Sequence, residues 1–519
     1  MTTRQWRLGA ASVAGAAGVG GSVAVGAIGA LNPWLALAAA IGVASIALGV
    51  VFARALPTMF LGALGFILVG YAFFGKSFAY LGVAPLYIGE LVLVLGILTL
   101  LVSGGLHTAL RSWLVWLLIA FGAWGAARTI PYIGTYRLDA LRDAVVWGYG
   151  LFAVFIAALL PRTGLIARIP AWYRRLMPWF VVWVPTGWLV GHFFGDRMPM
   201  VPGTDHIALI EFKSGDAGVH LAGIAAFVVL GLHQQGARRR GNVIRATEWL
   251  VWVFWLVGFL FAAATNRGGA LASICAVLTV TLLRPAAARR KIPVVAVLAI
   301  VLALAISVSN ATSWSVVDRD REVSPGQIIV NLKSIVGGGG GEALEGSRRW
   351  RLAWWTRITE YTLFGDFFWT GKGFGVNLAD DDGFQVTRDH SLRSPHNAHV
   401  MLLARTGVPG VTLWLILQGA FAISMIDAYF RARRARRERW SQLSLWVLAY
   451  WVAFMVNATF DVFLEGPQGG IWFWSLVGLG IVIIQMSRDG FGPVPAPAAA
   501  PVAERVRVPA WTGGAGVRP

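Results

Sequence analysis

Long apolar runs dominate this chain, separated by short connectors that are basic or rich in glycine. A hydrocarbon layer about 30 Å thick is crossed by roughly 20 residues of helix, and fewer suffice where flanking side chains reach the interface. Runs of that kind occupy 9–30, 33–52, 57–73, 86–101, 113–127, 144–160, 178–194, 217–232, 249–264, 270–283, 293–308, 411–430, 443–460 and 471–486. The pattern predicts an all-α polytopic membrane helix bundle of about 14 spans with one large extracytoplasmic loop containing short helices. Residues 1–309 hold about eleven spans, 310–410 form the loop, and 411–488 add about three more. The segment 489–519, rich in proline and alanine, has no apolar face and is expected to be a disordered cytoplasmic tail. Arg4 and Arg7 before an Ala/Gly-rich run also fit a signal peptide. With so many spans following, a first span that inserts the chain is the stronger expectation.

Composition agrees with lipid as solvent. Of 519 residues, 57% are hydrophobic and 13% charged, with a mean hydropathy of +0.66. A soluble chain of this size needs about a quarter of its residues charged to cover its surface. The net charge of +19 would otherwise point to nucleic acid, but it is confined to connectors between apolar runs. Basic residues recur at every second connector: Arg54; Arg111; Arg162 to Arg175; Arg238 to Arg245; Arg284 to Lys291; and the run from Arg431 to Arg439. The positive-inside tendency then puts both termini in the cytoplasm and the long loop outside, with anionic membrane lipids as partners of the basic connectors. Cys275 is the single cysteine, so neither an intrachain disulfide nor a cysteine-rich zinc site can form.

The loop has its own organisation. Five glycines, 337–341, precede SRRWRLAWWTRITEYTLFG, an amphipathic helix whose Trp350, Trp354, Trp355 and Ile358 suit a membrane interface. GKGFG (371–375) and ADDDGF (379–384) follow, then RSPHNAHVMLLARTGVPG (393–410). In that last stretch Ser394 is a good N-cap and Pro395 a good first helical residue, predicting a helix that runs to Gly407 and is ended by Pro409. His396 would then sit in the first turn, where the helix dipole favours neutral imidazole, the form a general base requires. A packed or capping histidine is the competing account. His396 and His399 lack a third ligand at a spacing that would hold zinc, and no cofactor is expected.

Arg267, in TNRGGALAS, lies between two spans with no acidic residue within several positions. Near hydrocarbon such a charge either reaches lipid phosphate or binds a ligand, and a guanidinium suits phosphate oxygens. Arg348, Arg349 and Arg393 are further phosphate candidates that helix-end solvation explains equally well; Asn397 can orient a substrate or cap its helix. Glu90 and the Arg142–Asp143 pair either form structural ion pairs or line a cavity. GKGFG lacks the spacing of a phosphate-binding P-loop, and the carboxylates Asp318, Asp320 and Asp380 to Asp382 read as solvated turns.

Taken in order, NRGGAL, the long loop, Arg351 in RLAW, the GxGFG element and HN before an apolar helix with GxxG (His396, Asn397, Gly407, Gly410) resemble the O-antigen ligase and polymerase family of lipid-linked glycan transferases. The likeness covers about residues 260–430, and the stretch from WRLAWW to RSPHN is most similar to the branch found in Gram-positive actinobacteria. The resemblance implies a metal-independent glycosyltransferase acting at the outer face of the cytoplasmic membrane. Its donor would be a glycan on a polyprenyl diphosphate and its acceptor a glycan or lipid hydroxyl. Arg267 and Arg351 match the family's diphosphate-binding arginines, and His396 the histidine that activates the acceptor. The rival class is a transporter or flippase of lipid-linked saccharides, which repeats and mid-membrane charges would favour.

Overall fold

The structure, a computed structural model, describes residues 55–491 except 84–85, 205–206, 212, 235–240, 313–315, 319–320, 325 and 337–340. The apolar runs at 9–30 and 33–52, most of the glycine linker and the tail beyond residue 491 lie outside the described residues. The principal helices are α1 (Leu56–Phe74), α2 (Ile88–Ser103), α3 (Trp113–Ala127), α4 (Leu138–Gly148), α5 (Gly150–Thr163), α6 (Ile169–Phe194), α7 (Ser214–Val229) and α8 (Gly241–Thr265). They continue with α9 (Arg267–Leu283), α10 (Ile292–Thr312), α11 (Gln327–Val336), α12 (Gly341–Leu363), α13 (Leu378–Asp382), α14 (Ala398–Arg434), α15 (Glu438–Ala458) and α16 (Pro467–Arg488). Two short antiparallel hairpins, Gly82–Val83 with Leu86–Tyr87 and Val316–Asp318 with Arg321–Val323, interrupt them.

Fourteen expected spans less the two before residue 55 leave twelve, and each of these falls on a helix. Seven described helices are long and apolar enough to cross a membrane, or eight when α4 and α5, bent by 44°, count as one span. Three further apolar helices, α2, α7 and α9, have only 16, 16 and 17 residues. The chain is an all-α polytopic membrane protein; the described residues do not establish the expected count of fourteen. Helices α15 and α16 are almost wholly buried and form the centre of the bundle, whereas α10 exposes apolar side chains along most of its length.

The break in α14 organises the region of interest. Gly407 has φ 67° and ψ −171°, outside helical values, and Pro409 has no N–H to return to Arg405. Three carbonyls thereby lose their ordinary partners. The Lys372 N–H donates to the Ala404 carbonyl at 2.7 Å and the Gly373 N–H to the Arg405 carbonyl at 3.0 Å. Trp124 Nε1 donates to the Thr406 carbonyl at 2.9 Å, while the Val408 N–H turns to the Phe368 carbonyl at 2.8 Å. The GKGFG loop is thus a splint for a broken helix. Its glycines are required by shape, since Gly371, Gly373 and Gly375 all have positive φ and lie against the α14 backbone, Tyr132 and Tyr136 respectively.

Buried charge locks the splint in place. Asp143 of α4 accepts from Arg405 Nη2 at 2.9 Å, from Arg393 Nη2 at 3.0 Å and from the Gly375 N–H at 3.2 Å. Arg405, 2% exposed, also donates to the Gly373 and Val376 carbonyls. Lys372 pairs with Asp381 and Asp382 at 2.5 Å each, and Asp382 accepts from Trp354 Nε1 at 2.7 Å. This corrects the expectation of a solvated turn carboxylate for Asp382, whose side chain is buried, whereas Asp380, hydrogen-bonded to His390, and Asp381 face solvent. It also corrects the membrane-interface reading of α12. Trp354 and Ile358 are fully buried, Trp354 stacks on Phe384 at 5.5 Å, and Trp355 Nε1 donates to the Pro395 carbonyl. The spacing that announced an apolar face gave no sign that protein rather than lipid covers it. Glu90, likewise, accepts a 2.7 Å hydrogen bond from the Tyr149 hydroxyl.

Two stability predictions follow from this joint. Asp143→Asn leaves two buried guanidinium groups short of a counter-charge and should lower stability by about 3–5 kcal/mol. Gly373→Ala places a Cβ in the Tyr132 ring at positive φ and should lower it by about 2–4 kcal/mol. Both are read as a drop in the thermal midpoint of the purified full chain in detergent, and a midpoint within a degree of wild type would exclude the splint.

Candidate active site

His396 precedes its helix. Asn397, not Ser394, is the N-cap: its Oδ1 accepts from the His399 and Val400 N–H groups at 2.9 and 3.2 Å. Helix α14 therefore begins at Ala398, and His396 stands one residue before the cap with a left-handed backbone, φ 54°. The expected first-turn placement is corrected, and so is its dipole argument. Ser394 had a tertiary partner that local sequence does not show: its hydroxyl donates to Glu465 Oε1 at 2.7 Å. Burial, and then the charge of Arg351, push the His396 imidazole down to about 4, with Lys213 adding to the push and Asp461 opposing it. The ring is neutral near pH 7, as expected, for a different physical reason.

Arg351 lies on α12 beside Trp350, whose ring centroid is 6.4 Å from that of His396. Its Nη1 donates to the Phe460 carbonyl at 3.1 Å. The same Phe460 abuts the first turn of α9: a Cβ on Gly268, the residue after Arg267, would lie 3.1 Å from Phe460 Cβ. Arg267 is the first residue of α9, half-buried, behind an Asn266 cap that accepts from the Gly269 N–H at 3.1 Å. The turn after α15 thus touches both arginine-bearing helices, and its Asp461 acts electrostatically on His396.

The remaining expected contacts divide differently. Arg393 is engaged with Asp139, Asp143 and the Gly375 carbonyl, and so helps to hold the loop that carries His396. Arg142 pairs with Asp139 at 3.5 Å and Asp143 at 3.8 Å on an exposed side chain. Arg348 is half-buried and Arg349 exposed, one turn or less before Arg351 on α12. Asn397 is a buried cap, the local alternative of the two weighed for it. His399 accepts from Trp414 Nε1 and lies 3.3 Å from the Met455 carbonyl, a packed histidine inside the bundle.

Several site groups carried no sequence signal of their own. Lys213 and Asp461 approach to 3.8 Å, and Asp216, one turn into α7, is 7% exposed. Burial works against the Lys213 charge, but the carboxylates of Asp461, Asp216, Glu211 and Glu465 overcome it and hold the ammonium above its ordinary range. Glu465 is pushed up to about 7, chiefly by burial, against the opposing Ser394 hydrogen bond and Arg405 charge. Glu211, Lys213 and Asp216 cluster in one connector and Asp461 and Glu465 in another, so none shows the isolated charge that singled out Arg267. A separate apolar cleft, lined by Leu64, Leu68, Phe180, Ile224, Tyr450 and Trp472, lies in the bundle, and none of these site charges lines it.

A comparison with curated proteins found no match. The sequence model of the O-antigen ligase domain matches residues 252–415, the segment that contains Arg267, Arg351 and His396. This segment therefore carries an O-antigen ligase domain, and the likeness to that family is carried by residues 252–415.

Proposed function

We propose that the protein is an inverting, metal-independent glycosyltransferase that moves a glycan from a polyprenyl diphosphate to an acceptor hydroxyl at the outer face of the cytoplasmic membrane. The observation that carries this reading is the coupling of His396 to Arg351 at one end of the bundle, with Phe460 joining Arg351 to the helix that begins at Arg267. His396 takes the proton from the acceptor hydroxyl as its oxygen attacks the anomeric carbon. The bond from that carbon to the diphosphate oxygen breaks, and attack from the opposite face inverts the centre. Arg267 and Arg351 stabilise the charge that develops on the leaving diphosphate, each by about 3–4 kcal/mol where water is excluded. The base contributes about 10²–10⁴-fold. Ligation of a finished chain and polymerisation of repeat units use the same groups.

His396→Ala should lower transfer by about 10²–10⁴-fold and Arg267→Ala by a similar factor, while both variants insert and fold. Glycan transfer from a lipid-linked donor, with the anomeric configuration of the product read by NMR, is the test. Wild-type rates in either variant, or retention of configuration, would refute the assignment; a protein that only moved the intact donor between leaflets would favour the transporter.

The pH profile tests the coupling. Imidazole must be neutral to accept a proton, so transfer is lost as pH falls through the His396 pKa, which is about 4 in the empty site. The Arg351 charge lowers that value, so Arg351→Gln should move the acid limb of the residual activity to higher pH. An acid limb that stays in place would separate the two residues.

A further inference from the structure

Lys213 immediately precedes α7, and Arg267 opens α9. These two helices start side by side because glycines let their backbones meet. A Cβ on Gly215 would lie 2.7 Å from the Asn266 side chain, and one on Gly218 would lie 2.6 Å from the Gly269 backbone. Two helix N-termini therefore point the same way at the same end of the bundle, each with its partial positive charge and a cation beside it. No side chain caps the first turn of α7.

The lysine is held loosely. Its ammonium is 3.8 Å from Asp461, beyond hydrogen-bond length, and its side chain is 38% exposed. A pair of that geometry adds little to stability. Its charge nevertheless reaches His396, so it belongs to the same electrostatic pocket as Arg351. Close by, Asn457 is fully buried against Gly268, and neither its Oδ1 nor its Nδ2 has a hydrogen-bond partner. Native interiors rarely leave an amide unsatisfied, and this one faces the first turn of the Arg267 helix. Beside the cations the pocket thus has a buried amide that its own residues do not satisfy.

We propose that Lys213, at the paired N-termini of α7 and α9, is a third cationic ligand for the donor's diphosphate, held by Asp461 until the donor arrives. The inference rests on the transferase reading and names a phosphate contact outside the matched domain. Once the phosphate oxygens take the ammonium, Asp461 is released from it and its carboxylate is left to balance the imidazolium that forms at His396. Lys213 thus binds substrate and acts on the base both by its own charge and through Asp461.

The test uses the purified full chain in nanodiscs, with geranylgeranyl diphosphate and geranylgeranyl monophosphate as probes. Lys213→Met should weaken diphosphate binding at least tenfold and monophosphate binding much less, and Lys213→Arg should restore most of the loss. If Lys213 only neutralises its carboxylates, the double variant Lys213→Met/Asp216→Asn recovers diphosphate binding, and that recovery overturns the proposal. In wild-type protein, which needs no variant to fold, the diphosphate should slow acetylation of Lys213 several-fold by peptide mass spectrometry; unchanged labelling overturns it too. Diphosphate binding that is lost in Arg267→Ala but unchanged in Lys213→Met removes the lysine alone. Wild-type binding that neither prefers diphosphate nor depends on Arg267 removes the transferase reading and the lysine with it.

Discussion

One carboxylate fixes the geometry of this end of the molecule. Asp143 receives two guanidinium groups and a backbone N–H, and these come from three separated parts of the chain: Arg405 in α14, Arg393 three residues before His396, and Gly375 in the splinting loop. A buried ion pair adds little net stability compared with an apolar replacement, because both charges must leave water. Its value lies in direction. Each donor has a fixed fork or amide geometry, so the carboxylate admits one arrangement of α4, the loop and the start of α14. The polar groups are satisfied only when that arrangement is complete, and His396 is placed by it.

The same logic explains why two motifs occur together. A helix broken at Gly407 with a proline at 409 exposes carbonyls that must find donors, and a loop of glycines is a flexible source of backbone N–H groups at close range. GKGFG supplies two of them, and positive φ at three positions lets it lie flat against the break. Its lysine faces inward, 4.2 Å from the Tyr361 ring centroid and paired with a buried aspartate. What was legible in the sequence was that this segment is special; the purpose had to come from the partner segment, about thirty residues away.

The helices were the readable part, because an apolar run of spanning length has few alternatives in a membrane protein. Local detail was readable only where no distant group intervened. Ser394 and Asn397 are equally good caps by residue type, and the choice between them was made by Glu465, about seventy residues later, which claims the serine hydroxyl. Asp382 reads as a surface carboxylate until Lys372 and Trp354 are brought to it. Arg267 stood out because a charge beside hydrocarbon is rare, His396 because it lies at the start of a helix, and Arg351 through the resemblance of its RLAW segment. Lys213 and Asp461 sit among other charged residues, and nothing in their neighbourhoods ties them to the loop; only the helix ends that converge on Phe460 do.

That convergence gives the site an uneven charge balance. Arg351 and Lys213 both disfavour a proton on His396, and Asp461 alone among the resolved influences favours one. A base held so far below neutrality is a weak proton acceptor, which would be a poor choice for activating a sugar hydroxyl if the empty protein were the working state. A bound diphosphate carries two or more negative charges and would cancel the cations that depress the imidazole. The base would then strengthen only when the leaving group is in place. An anion-filled pocket turns the low proton affinity of the empty site into a safeguard: without a donor, His396 has neither the basicity nor the charge partner to activate water or an acceptor. The left-handed backbone at His396, worth about 1–2 kcal/mol of strain, is consistent with a side chain whose position is imposed by its surroundings rather than by its own helix.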